Sequence, residues 1–116
     1  MSKASFINQL SIPVIAAPMF LISGPQLVIE CCKNGIVGTF PALNQRTSEG
    51  FEAWIIEIKA ALLEYEKDTG IIPAPFGVNL IVHKSNPRLE ADLAICVKHK
   101  IPLIITSLGA VSELVN

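Results

Sequence analysis

The chain has 116 residues, 51% of them hydrophobic and 16% charged, and a formal net charge of −1. That length suits one domain and not two, and the composition is too apolar for a disordered chain. Nine Lys and Arg against ten Asp and Glu leave no basic excess with which to grip a nucleic-acid backbone.

The stretch from Ala4 to Ile29 has no charged residue, but Pro13, Pro18, Gly24 and Pro25 break it up. A spanning helix needs about 20 predominantly apolar residues in one run, so no membrane segment is expected. Lys3 alone makes a weak start for a signal peptide, and no small-residue cleavage site follows. Cys31, Cys32 and Cys96 are odd in number and contain no CxxC spacing. A reduced, cytoplasmic protein is the simplest expectation.

Down the chain, a short apolar run is followed by a turn and then by an amphipathic segment. Residues 13–17 read as a first strand, stopped by Pro18. Ser23-Gly24-Pro25 predicts a helix start with a Ser cap and Pro in the first turn, and Gly35 is placed to end that helix. Ile36-Val37-Gly38-Thr39 reads as a second strand. The clearest helix runs from about Ser48 to Asp68, with Phe51, Trp54, Ile55, Ile58, Leu62 and Tyr65 on one stripe. Residues 75–80 read as a third strand, and Asn86-Pro87 opens a third helix whose buried face would be Leu89, Leu93, Ala94 and Val97. Residues 103–106 read as a fourth strand, and a fourth helix is expected from Gly109 to Val115.

This order is four successive β/α units. Connections of that length require right-handed crossovers, hence parallel strands, and the nearly all-apolar strands imply a sheet covered on both faces. Two α/β architectures accommodate it: a small open sheet, or the first four units of a (β/α)8 TIM barrel, which typically takes about 250 residues. The ending Glu113-Leu114-Val115-Asn116 cuts a helix without a stop signal, which favours the second. Residues 1–116 are accordingly read as a single partial domain, the N-terminal half of a barrel.

In either architecture ligands bind at the carboxyl ends of the strands. There the sequence places Ala17-Pro18-Met19-Phe20, Phe40-Pro41-Ala42-Leu43-Asn44, Asn79 with His83 beyond it, and Thr106-Ser107-Leu108-Gly109. This rim is apolar, with a few amides and hydroxyls and almost no charge, which suits a flat aromatic group. GxGxxG, a Walker lysine loop, GxSxG and HExxH are all missing, and the two histidines have no acidic partners at metal-ligand spacing.

Four segments, Pro13 to Met19, Gly38 to Asn44, Gly77-Val78-Asn79-Leu80 and Ile105 to Gly109, occur in the same order in nitronate monooxygenases, and the chain resembles the N-terminal part of that family's barrel. The resemblance implies FMN as cofactor, and the oxidation of alkyl nitronates by O2 to a carbonyl compound and nitrite. It implies flavin contact through Ala17, Pro18, Met19 and Asn79, with Thr106 and Ser107 lining the same pocket. Amide donors beside the ring would favour negative charge developing on it.

The family's catalytic histidine and its FMN-phosphate loops lie downstream of Asn116, so no catalytic residue is assigned, and the chain alone is expected to be a poor enzyme. FMN-dependent enoyl-thioester reductases share the Ala-Pro-Met turn and form the alternative within the enzyme class. A non-catalytic remnant that self-associates through exposed sheet edges is the alternative outside it. Each site residue also has a plainer role open to it. Pro18-Met19 would end a buried strand, Asn79 would cap a turn, and Thr106 and Ser107 would cap the last helix. His83 reads as a loop residue and His99 as a partner of its helix C-terminus.

Overall fold

A computed structural model describes residues 10–109. Three parallel strands, β1 (Gly38–Pro41), β2 (Phe76–Ile81) and β3 (Leu103–Ser107), pair in sequence order. The helices α1 (Pro25–Lys33), α2 (Ser48–Thr69) and α3 (Leu89–Lys98) alternate with them. The expected fourth helix lies outside the described residues, apart from Gly109.

Residues 13–17 do not form the expected strand. A single parallel bridge joins Ile15 to Val37, made by Ala16 N donating to Val37 O and Val37 N donating to Val14 O. Pro13 and Pro18 bracket the segment and donate no ladder bond, so little N–H remains for pairing. The neighbour order still follows the sequence: the Ile15 segment, β1, β2, β3. A doubly wound sheet would instead place its first strand inside the sheet at a switch point. The sequential order is that of a barrel arc, and the fold is the predicted parallel α/β type.

The second strand begins two residues later than expected because the end of α1 claims the preceding backbone. Gly35, at φ +79, follows the Asn34 cap, and Ile36 N donates back to Cys31 O to close the helix. At the start of α1, Gly24 and not Ser23 is the cap residue. The Ser23 hydroxyl accepts instead from Met19 N at 2.8 Å.

Alternate strand residues Phe40, Phe76, Val78 and Leu80 form the helix-facing layer with Val28 and Cys32 of α1, Phe51, Ile55, Ile58 and Leu62 of α2, and Cys96 of α3. Gly38 belongs to this layer for a reason of space. A Cβ there would sit 2.7 Å from Val28 O and 2.8 Å from Val28 Cα, so α1 crosses β1 only over a glycine.

The predicted stripe of α2 faces this core as expected. Thr47 caps its start by accepting from Gly50 N at 3.0 Å, and Gly70 ends it in the left-handed conformation. The buried face of α3 is rotated from the predicted one. Leu89, Asp92, Leu93 and Cys96 turn inward, whereas Ala94 and Val97 are exposed. Its first turn also begins after Asn86-Pro87, because the Asn86 side chain is occupied in a turn, accepting from Arg88 N and donating to Ile81 O. His99 caps the end of α3, as read from the sequence, and its Nε2 stands 3.3 Å from Glu52 Oε2.

Burial pushes the thiol of Cys32 up to about 11 and that of Cys96 up to about 12. Both are therefore inert as nucleophiles near neutral pH, while Cys31 is only half-buried. A thiol reagent at pH 8 is expected to label one cysteine in the folded protein, with mass mapping to Cys31, and all three in urea. Labelling of Cys32 or Cys96 at the rate of Cys31 in the folded protein would show that the helix layer opens.

Candidate functional site

The carboxyl ends of the strands are set by the register Pro41–Asn79–Ile105 across β1, β2 and β3. Side chains alternate faces along a strand. The face away from the helices therefore carries Thr39, Asn79, Ile105 and Ser107. Thr39 donates its hydroxyl to Ala16 O, which ties the start of the Ala17-Pro18-Met19 turn to the neighbouring strand.

Asn79 is almost fully buried, and its Nδ2 donates to Ile105 O at 2.9 Å and to Ser107 Oγ at 2.8 Å. A main-chain carbonyl only accepts, so this pair of bonds fixes which end of the amide is which. Both donors are thus spent within the sheet. What Asn79 leaves to a ligand is an acceptor, Oδ1, beside the Ser107 hydroxyl.

Ala17 and Pro18 stand at the same end of the sheet and lead into a turn that begins at Met19, closed by Ile22 N and Ser23 N, which both donate to Met19 O. Thr106 is separated from this group. It pairs in register with Leu80, a residue of the buried helix-facing layer, so alternation puts it on the opposite face from Asn79 and Ser107. His83 is exposed beyond β2, with Nδ1 2.7 Å from Ser85 Oγ, a loop contact. A cleft of about 390 Å³ lined by His83, Lys84, Asn86 and Glu90 lies beside it, and none of the predicted flavin-contact residues lines that cleft.

Two groups at this end of the molecule were given no role from the sequence, although it placed Asn44 at the rim. Asn44, in the 3-10 turn Ala42–Asn44 after β1, donates to Met19 O and Ser23 O and accepts from Leu21 N. Behind it, Arg88 donates to Gln45 O and Ala42 O and lies 3.0 Å from Asp92 Oδ2, while Ser48 Oγ donates to Asp92 Oδ1 at 2.7 Å. The i,i+4 spacing of Arg88 and Asp92 was the available signal for that ion pair. Among the described residues, no group of three or more His, Cys, Asp or Glu is placed to hold a metal, and no helix is long and apolar enough to cross a membrane.

No protein-family model matches the sequence, and a search of curated proteins finds no match. Among solved structures, FabK from Thermotoga maritima is similar with a TM-score of 0.72 at 18% identity, over 98% of this chain and 34% of that one. A mutant form of FabK gives 0.70 at 17% identity, over 95% and 33%. This chain thus spans about a third of the length of the FabK chains it matches. At that identity the likeness is one of fold, and it identifies the sheet and its helices as an arc of a TIM barrel.

Proposed function

We propose that this chain forms the flavin-facing wall of an FMN-dependent nitronate monooxygenase, an enzyme that oxidises alkyl nitronates with O2 to a carbonyl compound and nitrite. The observation that carries the reading is that the Ala17-Pro18-Met19 segment and the Asn79–Ser107 pair lie at the same end of a barrel arc. The donor set fits such a ring. Asn79 Oδ1 can accept from an imide N–H, the Ser107 hydroxyl can donate to a ring carbonyl, and Met19 supplies apolar contact. FMN would supply the two-electron redox chemistry, and the protein's part is to orient the ring and shield it from water. Thr106, on the helix side, has no part in this reading.

The Ala-Pro-Met turn is also the feature that favours the second reading, an FMN-dependent enoyl-thioester reductase. Titration of the protein with FMN tests what both share. Quenching of flavin fluorescence, with amide shifts at Met19, Asn79 and Ser107 in a ¹H–¹⁵N spectrum, is the expected result. Shifts confined to the bottom of the sheet, or none, would sink the cofactor assignment. Oxygen uptake with propyl nitronate is the activity that this reading expects. NAD(P)H oxidation by an enoyl thioester in its place would favour the reductase.

A further inference from the structure

Residues Met19 to Ile22 are four consecutive apolar side chains at the rim, with Met19 41% and Leu21 77% exposed. Leu21 is also held at φ +64, a left-handed conformation that a non-glycine residue keeps only where its surroundings impose it. Neither hydrophobic burial nor backbone preference accounts for this turn. Local bonds from Ile22 N and Ser23 N to Met19 O and from Met19 N to the Ser23 hydroxyl close it, and one side chain from elsewhere in the sequence anchors it. Asn44 Nδ2 donates to Met19 O at 3.0 Å and to Ser23 O at 2.8 Å, and its Oδ1 accepts from Leu21 N at 2.9 Å. Both ends of the amide are thereby engaged on backbone groups of the one segment, across more than twenty residues of sequence.

We infer that Asn44 is a positioning residue of the site, holding the Met19–Ser23 turn so that Ala17, Pro18 and Met19 stay at the end of the sheet that carries Asn79 and Ser107. The inference rests on the flavin-wall reading for the identity of the ligand, but its geometric half stands on these three bonds. Asn44 reaches the turn from a fixed base. Arg88 donates to the carbonyls of Ala42 and Gln45, one on each side of it, so the 3-10 turn that carries the amide cannot drift. Asn44 touches no ring atom in this scheme and acts through the backbone it holds.

The test compares Asn44→Ala and Asn44→Asp with the unsubstituted protein, with far-UV circular dichroism confirming in each sample that the chain is folded. Asn44→Ala removes all three bonds, whereas Asn44→Asp keeps an acceptor for Leu21 N but sets a carboxylate oxygen against the carbonyls of Met19 and Ser23. Amide exchange at Leu21 should accelerate about tenfold in Asn44→Ala, as expected for the loss of one net hydrogen bond. FMN affinity, read by fluorescence titration of the folded protein, should weaken about tenfold in both variants. A purely structural side chain would change the fraction folded without changing affinity in the folded population.

Unchanged Leu21 exchange in Asn44→Ala overturns the inference whatever the ligand. Unchanged FMN affinity in the variants, with the unsubstituted protein binding, overturns it while leaving the functional reading intact. If the unsubstituted protein does not bind FMN, the functional reading fails and the role toward that ligand falls with it. Should Asn44→Ala not fold, Asn44→Asp decides alone: weakened affinity in the folded protein supports the inference, and unchanged affinity refutes it.

Discussion

Asp92→Ala is expected to destabilise the fold by about 3–5 kcal/mol, the usual cost of removing one partner from a buried ion pair. The Asp92 side chain is 1% exposed and that of Arg88 18%, so solvent cannot take over the lost contact. Two further losses add to it: the Ser48 hydroxyl at the start of α2 forfeits its acceptor, and the Arg88 guanidinium, no longer steered, leaves the carbonyls of Ala42 and Gln45 less well satisfied. Domains of this size have only about 5–15 kcal/mol of stability in all, so the variant sits near the edge of folding. With a urea slope of roughly 1–3 kcal/mol per molar, its unfolding midpoint should fall by about 2 M. A midpoint within 0.3 M (about 0.5 kcal/mol by that slope) of the unsubstituted protein would mean that the pair is solvated and structurally idle. Asn44 lies between the two carbonyls that Arg88 holds, so the same substitution should also speed exchange at the Leu21 amide. Stability and rim geometry share one network here.

That network shows where sequence reading reached its limit. Period 3.6 exposed α2 in full because its buried side chains are all apolar and nothing competes with them. The same logic misplaced the inner face of α3, since a pattern of hydrophobic residues gives no hint that Asp92 goes inside while Val97 stays out. Burial of Asp92 depends on Ser48 and Arg88, and the Ser48 contact spans 44 residues. Residues 13–17 show the converse limit. Their composition is that of a strand, but strand formation depends on a partner's N–H and C=O groups, and the bracketing prolines leave only the bridge at Ile15. At the rim, strand alternation already separates Thr106 from Ser107, so the sequence held that distinction. The role of Asn44 was out of reach, because its three contacts depend on how a loop after one strand meets the turn after another. Loop geometry of that kind has no periodic trace.

Phe40→Ala is expected to cost about 3–5 kcal/mol, as for other large aromatic truncations in a packed core. Phe40 is fully buried in the middle of β1 and meets two rings of α2: Phe51 with centroids 5.8 Å apart, and Trp54 edge-on at 5.7 Å. Offset and edge-to-face pairs of this kind add about 0.5–1.5 kcal/mol to simple burial. Truncation therefore removes the transfer energy, leaves a cavity beneath α2, and deprives Trp54 of its nearest ring. Trp54 is the single tryptophan of the chain, so its emission reports on this one contact. A red shift together with a fall of about 2 M in the urea midpoint is the expected pair of changes. The opposite face of β1 carries Thr39, whose hydroxyl bond to Ala16 O does not pass through the Phe40 side chain. In samples cold and dilute enough in urea to stay folded, the Leu21 amide should then keep its exchange protection, unlike in Asp92→Ala. If Phe40→Ala released Leu21 as strongly as Asp92→Ala does, the aromatic core beneath α2 and the rim would be one cooperative unit.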